Sequence, residues 1–134
     1  MAIVEGTQRL KTAVFEYDFA VDGGAIGSIN LRGVGGGASP IPAGATIQGG
    51  YIDVITPFTT GSAATLAVTV EGAGDIQAAA VVSGAPWSTA GRKSITPAFT
   101  GATAVRTTVQ RQVVGVIAVG TITAGKAQIV LEYI

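Results

Sequence analysis

No window of this sequence repeats apolar residues at helical spacing; short β-branched or alternating runs recur instead, each closed by Gly, Pro, Asp or Ser. A chain punctuated in this way cannot build layers of helix, so its core has to lie between sheets. Residues 64–70 are the clearest case: Leu66, Val68 and Val70 alternate with Thr65, Ala67 and Thr69 before Gly72-Ala73-Gly74-Asp75 turns the chain. Residues 12–21 place Phe15, Tyr17, Phe19 and Val21 on one face and Val14, Glu16, Asp18 and Ala20 on the other. In residues 127–134, Ala127, Ile129, Leu131 and Tyr133 oppose Gln128, Val130 and Glu132.

Residues 25–32, 46–56, 76–82, 105–109 and 113–122 supply the other strands. Within 46–56 the Gly49-Gly50 pair predicts a bulge that moves the inward face from Ile47 to Ile52 and Val54, and Pro57 is expected to end the run. Residues 76–82 are ambiguous, because Gln77-Ala78-Ala79-Ala80 favours helix while Val81-Val82 favours strand; we read a strand. Asp22-Gly23-Gly24 is a turn, residues 33–39 a glycine loop, residues 83–99 a long loop, and Thr123-Ala124-Gly125-Lys126 a short hairpin connection. About eight antiparallel strands predict an all-β, single-domain antiparallel β-sandwich, jelly-roll-like, although a small closed barrel needs the same alternation. Residues 1–11 stand outside the pattern and read as an N-terminal arm on a domain spanning 12–134.

Charge and composition remove most chemistries. Eight Lys plus Arg balance eight Asp plus Glu, so no general basic face is available for phosphates and direct nucleic-acid binding is not expected; Arg106 and Arg111 are the local exception. With no His and no Cys, thiol catalysis, Ser-His triads, the usual zinc ligands and haem ligation are all excluded. The mean hydropathy of +0.52 invites a membrane reading. The longest apolar stretch, residues 113–122, is interrupted by Gly115 and Gly120 and is far shorter than the roughly 20 residues a spanning helix needs. It reads as a buried strand. The N-terminus shows no apolar h-region behind a basic start, so synthesis without secretion is expected.

Each remaining candidate site has a plainer alternative. Gly33 to Gly37 lacks the Lys-Ser/Thr of a P-loop and any helix to follow, and reads as a connection. Glu16 and Asp18 share a strand face roughly 7 Å apart, a spacing that glycoside hydrolysis can use. A single Trp and three Tyr, however, offer no aromatic sugar platform. Asp18, Asp22 and Asp75 lack the run of alternating carboxylates that a calcium loop carries. The chain is therefore read as a non-enzyme with no cofactor, metal or small-molecule substrate. Contact residues are sought in the arm (Ile3, Val4, Arg9, Leu10), at Trp87 between Pro86 and Ser88, and at Arg92-Lys93.

Two stretches carry a family resemblance. Residues 41–68, with Tyr51-Ile52-Asp53-Val54, the turn Thr59-Thr60-Gly61-Ser62 and the strand Ala64-Thr65-Leu66, resemble a pattern in small tailed-phage virion proteins. Residues 121–134 resemble the terminal hairpin of the same proteins. The resemblance implies a β-sandwich head decoration or head-fibre-base protein, commonly a homotrimer, synthesised in the host cytoplasm and located on the capsid surface. Its partner there would be the major capsid protein. A tail or fibre component binding a host glycan or protein is the alternative.

Overall fold

The computed structural model describes residues 10–34 and 40–134; Ile3, Val4 and Arg9 of the expected arm, and residues 35–39 of the glycine loop, lie outside the described residues. Lys11–Asp18 (β1) is followed by a one-turn helix, Phe19–Asp22 (α1). Asp18 ends the strand because its carboxylate caps that turn, accepting from Ala20 N at 3.0 Å, while Asp22 accepts from Asp18 N at 2.9 Å. The alternation expected as far as residue 21 therefore stops early: Phe15 and Tyr17 are buried, Phe19 is half-buried, and Val21 is exposed.

The single strand expected over 25–32 is two, Gly27–Asn30 (β2) and Arg32–Gly33 (β3), and the chain changes sheet between them at the buried Leu31. Thr46–Thr60 (β4) runs on past Pro57. Proline is accepted there because pairing on one side slips between Thr56 and Thr59, and the neighbour on the other side reaches only residues 51–54. The bulge falls at Gln48 and Gly49, and Ile47, Ile52 and Val54 are all buried as predicted. A Cβ on Gly50 would come within 2.2 Å of Val130 O, so the close approach of the neighbouring strand excludes a side chain.

Thr65–Thr69 (β5) and Gln77–Val81 (β6) follow, so the ambiguous segment is a strand. The expected long loop then contains a strand of its own, Gly91–Ser94 (β7), which the sequence reading missed. Val105–Arg106 (β8) is shorter than expected. Val114–Ala118 (β9) and Ile122–Tyr133 (β10) complete the chain. The expected hairpin at 123–126 is absent: those residues lie inside β10, and β9 and β10 belong to different sheets.

All ladders are antiparallel, giving β3-β1-β10-β4-β7, with β8 also on β4, packed over β2-β9-β5-β6. The pairs β1·β10, β2·β9, β4·β7 and β5·β6 are those of one long ribbon folded back on itself. Side pairing of β10 with β4 and of β9 with β5 closes the two sheets, the arrangement of a jelly-roll sandwich. Phe15, Tyr17, Ile52, Val54, Ile129 and Leu131 of one sheet face Leu66, Val68 and Ile117 of the other.

Candidate interaction surface

Charge is distributed very unevenly over the two sheets. Every strand of the six-stranded sheet carries at least one Asp, Glu, Lys or Arg, whereas β2, β5, β6 and β9 carry none. On the outer side of the six-stranded sheet Glu16 lies 3.3 Å from Lys126 and 3.6 Å from Arg32, and Arg32 lies 3.1 Å from Asp22. The outer side of the four-stranded sheet shows only small, β-branched or amide residues. A shallow depression of about 300 Å³ there is lined by Ala67, Thr69, Ala78, Ala79 and Val116. A solvated face normally carries charge for solubility, so an uncharged face in a sheet protein marks a surface suited to being covered.

The two ends of the sandwich differ in the same sense. At one end Glu71, in the β5–β6 turn, holds Arg111 through both carboxylate oxygens, at 2.9 and 3.1 Å, and accepts from Thr108 N and Oγ1 at 3.2 and 2.7 Å. The Arg111 guanidinium first, and then the Thr108 hydrogen bonds, hold the Glu71 carboxyl down at about 2. A carboxyl depressed in this way stabilises the fold above its usual 4.5, and the contribution is lost as pH falls toward 2. The difference in urea midpoint between the wild type and Glu71→Gln is accordingly expected to be full at neutral pH, to shrink below about 4.5, and to vanish near 2. A difference independent of pH would show that the pairing adds nothing. Asp75, in the same turn, accepts from Val70, Glu71 and Gly72 N–H groups at 2.8 to 2.9 Å.

At the opposite end three connections converge. Ile122 N donates to Gly24 O at 2.9 Å, Thr60 Oγ1 donates to Thr121 O at 2.6 Å, and the Thr59 and Thr123 hydroxyls lie 2.8 Å apart. Tyr17 Oη donates to Gly23 O, and burial, with the nearby Asp22 and Asp18 charges, pushes its hydroxyl up to about 12. Three aliphatic side chains stand out from this end, Val119, Val21 and Ile26, at 71, 67 and 61% relative exposure. No other large hydrophobic among the described residues is as exposed.

The residues singled out in the sequence do not form one site. Trp87 is 0% exposed: its indole N–H donates to Leu66 O at 3.2 Å and its ring lies 5.2 Å from Phe58. It is a core residue, and the contact role read for its ring gives way to a packing role. Arg92 and Lys93 belong to β7 rather than to a loop; Arg92 is exposed and sits 4.6 Å over the Tyr51 ring, while half-buried Lys93 donates to Ala90 O. A groove of about 370 Å³ between β6 and β7 is lined by Gln77, Ala79, Pro86, Lys93 and Thr96. Its polar groups are engaged, Gln77 bonding Ala78 O and Thr96 N. Leu10 is exposed, directly ahead of β1, which starts one residue before the expected domain boundary. The hydrolase pair stays together on β1 but each carboxylate is engaged, Glu16 by Arg32 and Lys126 and Asp18 as the cap of α1. Asp75 lies at the far end from Asp18 and Asp22, so the calcium set is not assembled, and Arg111 is committed to Glu71. The exposed tips at Val21, Ile26 and Val119 escaped the sequence reading, which placed Val21 on a buried face and Val119 inside a strand.

The sequence matches no protein-family model and no curated protein. Its fold is similar to two solved structures. One is a chain of the acidic stable capsid structure of Helicobacter pylori bacteriophage KHP30, with TM-score 0.61 and 14% identity over 94% of this chain and 87% of that one. The other is a chain of the capsid asymmetric unit of cyanophage Pam1, with TM-score 0.66 and 17% identity over 99% of this chain and 90% of that one.

Proposed function

We propose that this chain is a structural virion protein, a capsid decoration or cement protein that binds the surface of a phage head and stabilises the shell. The observation that carries the reading is the whole-length likeness in fold to chains of two phage capsid structures. The uncharged four-stranded sheet supports it, because a protein covered by neighbours has no need of charge on the covered side.

In this reading the protein binds assembled shell and not free capsid subunits, and mass action then favours the assembled state. Copies act as homotrimers on the major capsid protein. The arm, with Ile3, Val4, Arg9 and Leu10, reaches a neighbouring subunit, and the Arg92-Lys93 strand lies at the rim. Catalysis, cofactors, nucleic acid and membrane have no part in it.

Two measurements test the proposal. Light scattering across a dilution series is expected to return three times the monomer mass; a dilution-independent monomer would overturn the preformed trimer. The purified protein is expected to co-sediment with shells assembled from the major capsid protein of the same virus. Deleting residues 2–9 is expected to abolish that binding and leave the domain folded, since every described strand is kept. Full occupancy by the truncated protein would remove the arm from the mechanism.

A further inference from the structure

We infer that the apolar end carrying Val21, Ile26 and Val119 is a foot that seats in an uncharged, apolar depression on the assembled protein shell. The inference rests on the decoration reading above and adds to it the surface that makes the contact.

The first argument is conformational. Val119 sits at φ +70°, the one positive φ at a non-glycine position among the described residues. A β-branched side chain is disfavoured there, where Gly, Asn or Asp would be accommodated. The turn itself is closed by Gly120 N donating to Ala118 O at 2.8 Å, but the Val119 side chain, 71% exposed between β9 and β10, adds no packing that offsets the strain of a β-branched residue there. A strained aliphatic side chain held out into solvent has its use outside the molecule.

Position supplies the second argument. Val119 does not stand alone: Val21 and Ile26, the next most exposed large aliphatic side chains among the described residues, flank Gly24, whose carbonyl accepts from Ile122 N three residues beyond Val119. The polar groups nearby are already engaged within the protein: Asp22 with Arg32, Asp18 with Ala20 N, Thr60 with Thr121 O, and Thr59 with Thr123. Charge at this end is therefore not free to recognise a charged partner, and the matching surface is apolar.

Area decides between a second copy and the shell. Three exposed aliphatic side chains amount to a few hundred Å² at most, the scale of a functional patch on a monomer. A stable pairwise complex buries about 800 Å² on each partner, so a tip-to-tip contact of two copies falls well short. A small foot is sufficient on a repeating lattice, where an oligomer sets down several feet and each further one binds at high effective concentration.

The test compares wild type, Val119→Asn and the double variant Val21→Ser/Ile26→Ser, each as full chain, in co-sedimentation with shells and in thermal unfolding. Val119→Asn is expected to melt at or above the wild-type temperature, since Asn tolerates the left-handed conformation, and to bind shells about tenfold more weakly. The double variant is expected to lose a similar factor in binding with its fold retained. If both variants bind as tightly as wild type, the foot is overturned and the decoration reading stands. If wild type itself does not sediment with shells, the decoration reading fails and the foot with it.

Discussion

Replacing Trp87 by Ala is expected to lower the free energy of unfolding by about 3–5 kcal/mol, the range for removing a large aromatic side chain from a packed core. The indole is wholly buried, packs tilted against Phe58 at a centroid separation of 5.2 Å, with Phe58 in turn stacked on Tyr17 at 5.5 Å, and donates its N–H to Leu66 O. Its backbone carbonyl also accepts from Phe58 N at 3.0 Å, which continues the edge of β4 beyond the end of β7. The substitution therefore leaves a cavity where the two sheets meet the β6–β7 loop, and removes the indole hydrogen bond to Leu66 O. Stability of a domain is of order 5–15 kcal/mol, so the loss is a large fraction of the total. Urea denaturation followed by circular dichroism measures the effect; a loss under about 1 kcal/mol would mean that the ring is not packed as described. Trp87→Phe, which keeps most of the apolar volume and loses the hydrogen bond, should lie between the two.

Gly24→Ala should be as damaging for a different reason. A Cβ at residue 24 would lie 1.8 Å from Ile122 O and 2.7 Å from its carbonyl carbon, and both are backbone atoms at the start of β10. Backbone cannot step aside as a flexible side chain can, so the α1–β2 connection must lift off β10 and give up the Ile122 N to Gly24 O bond. The expected cost is about 3 kcal/mol or more, in the class of severe overpacking. Gly23→Ala is the control. Its backbone, at φ +75° and ψ 179°, is in a region that penalises any side chain, but nothing lies within 4 Å of the added carbon, so only the conformational cost of about 1–3 kcal/mol is expected. Equal effects at the two positions would show that contact with β10 is not what demands glycine at 24.

Both substitutions act on the end of the sandwich that the proposed foot occupies. Trp87, Phe58 and Tyr17 fill the core beneath that end, while Gly24 brings its connection against β10 and Gly120 packs on the β4–β5 turn. The outward side chains of Val21, Ile26 and Val119 are thus mounted on a tightly bonded base, a condition for a small patch to bind without a large ordering cost.

Much of this architecture is legible in the residue order. Alternation in residues 64–70 and 127–134 identifies β5 and the second half of β10 with the correct inward faces, because the two-residue period belongs to the strand backbone itself. The bulge expected at Gly49-Gly50 falls one residue earlier, at Gln48 and Gly49, with the inward faces on either side as expected. Reading fails where a side chain bonds the backbone instead of following the alternation, or where a partner distant in sequence settles the matter. Asp18 breaks an alternating run by capping a helical turn, Pro57 is tolerated because neither adjacent strand needs its nitrogen, and Gly91–Ser94 becomes a strand because β4 offers it an edge. Glu71 and Arg111 are 40 residues apart, and no local signal joins them.

The residue order by itself determined an all-β chain of short antiparallel strands, the inward faces of the most regular of them, and the loss of His- and Cys-based chemistry. Tertiary structure alone decided which strands share a sheet, that Trp87 lies inside and Val119 outside, and that all four strands without charge come together on one side. Alternation is set by bonds within a few residues, whereas pairing and burial are set by contacts closed across the whole chain, and a short-range pattern carries no record of which distant segment will close them.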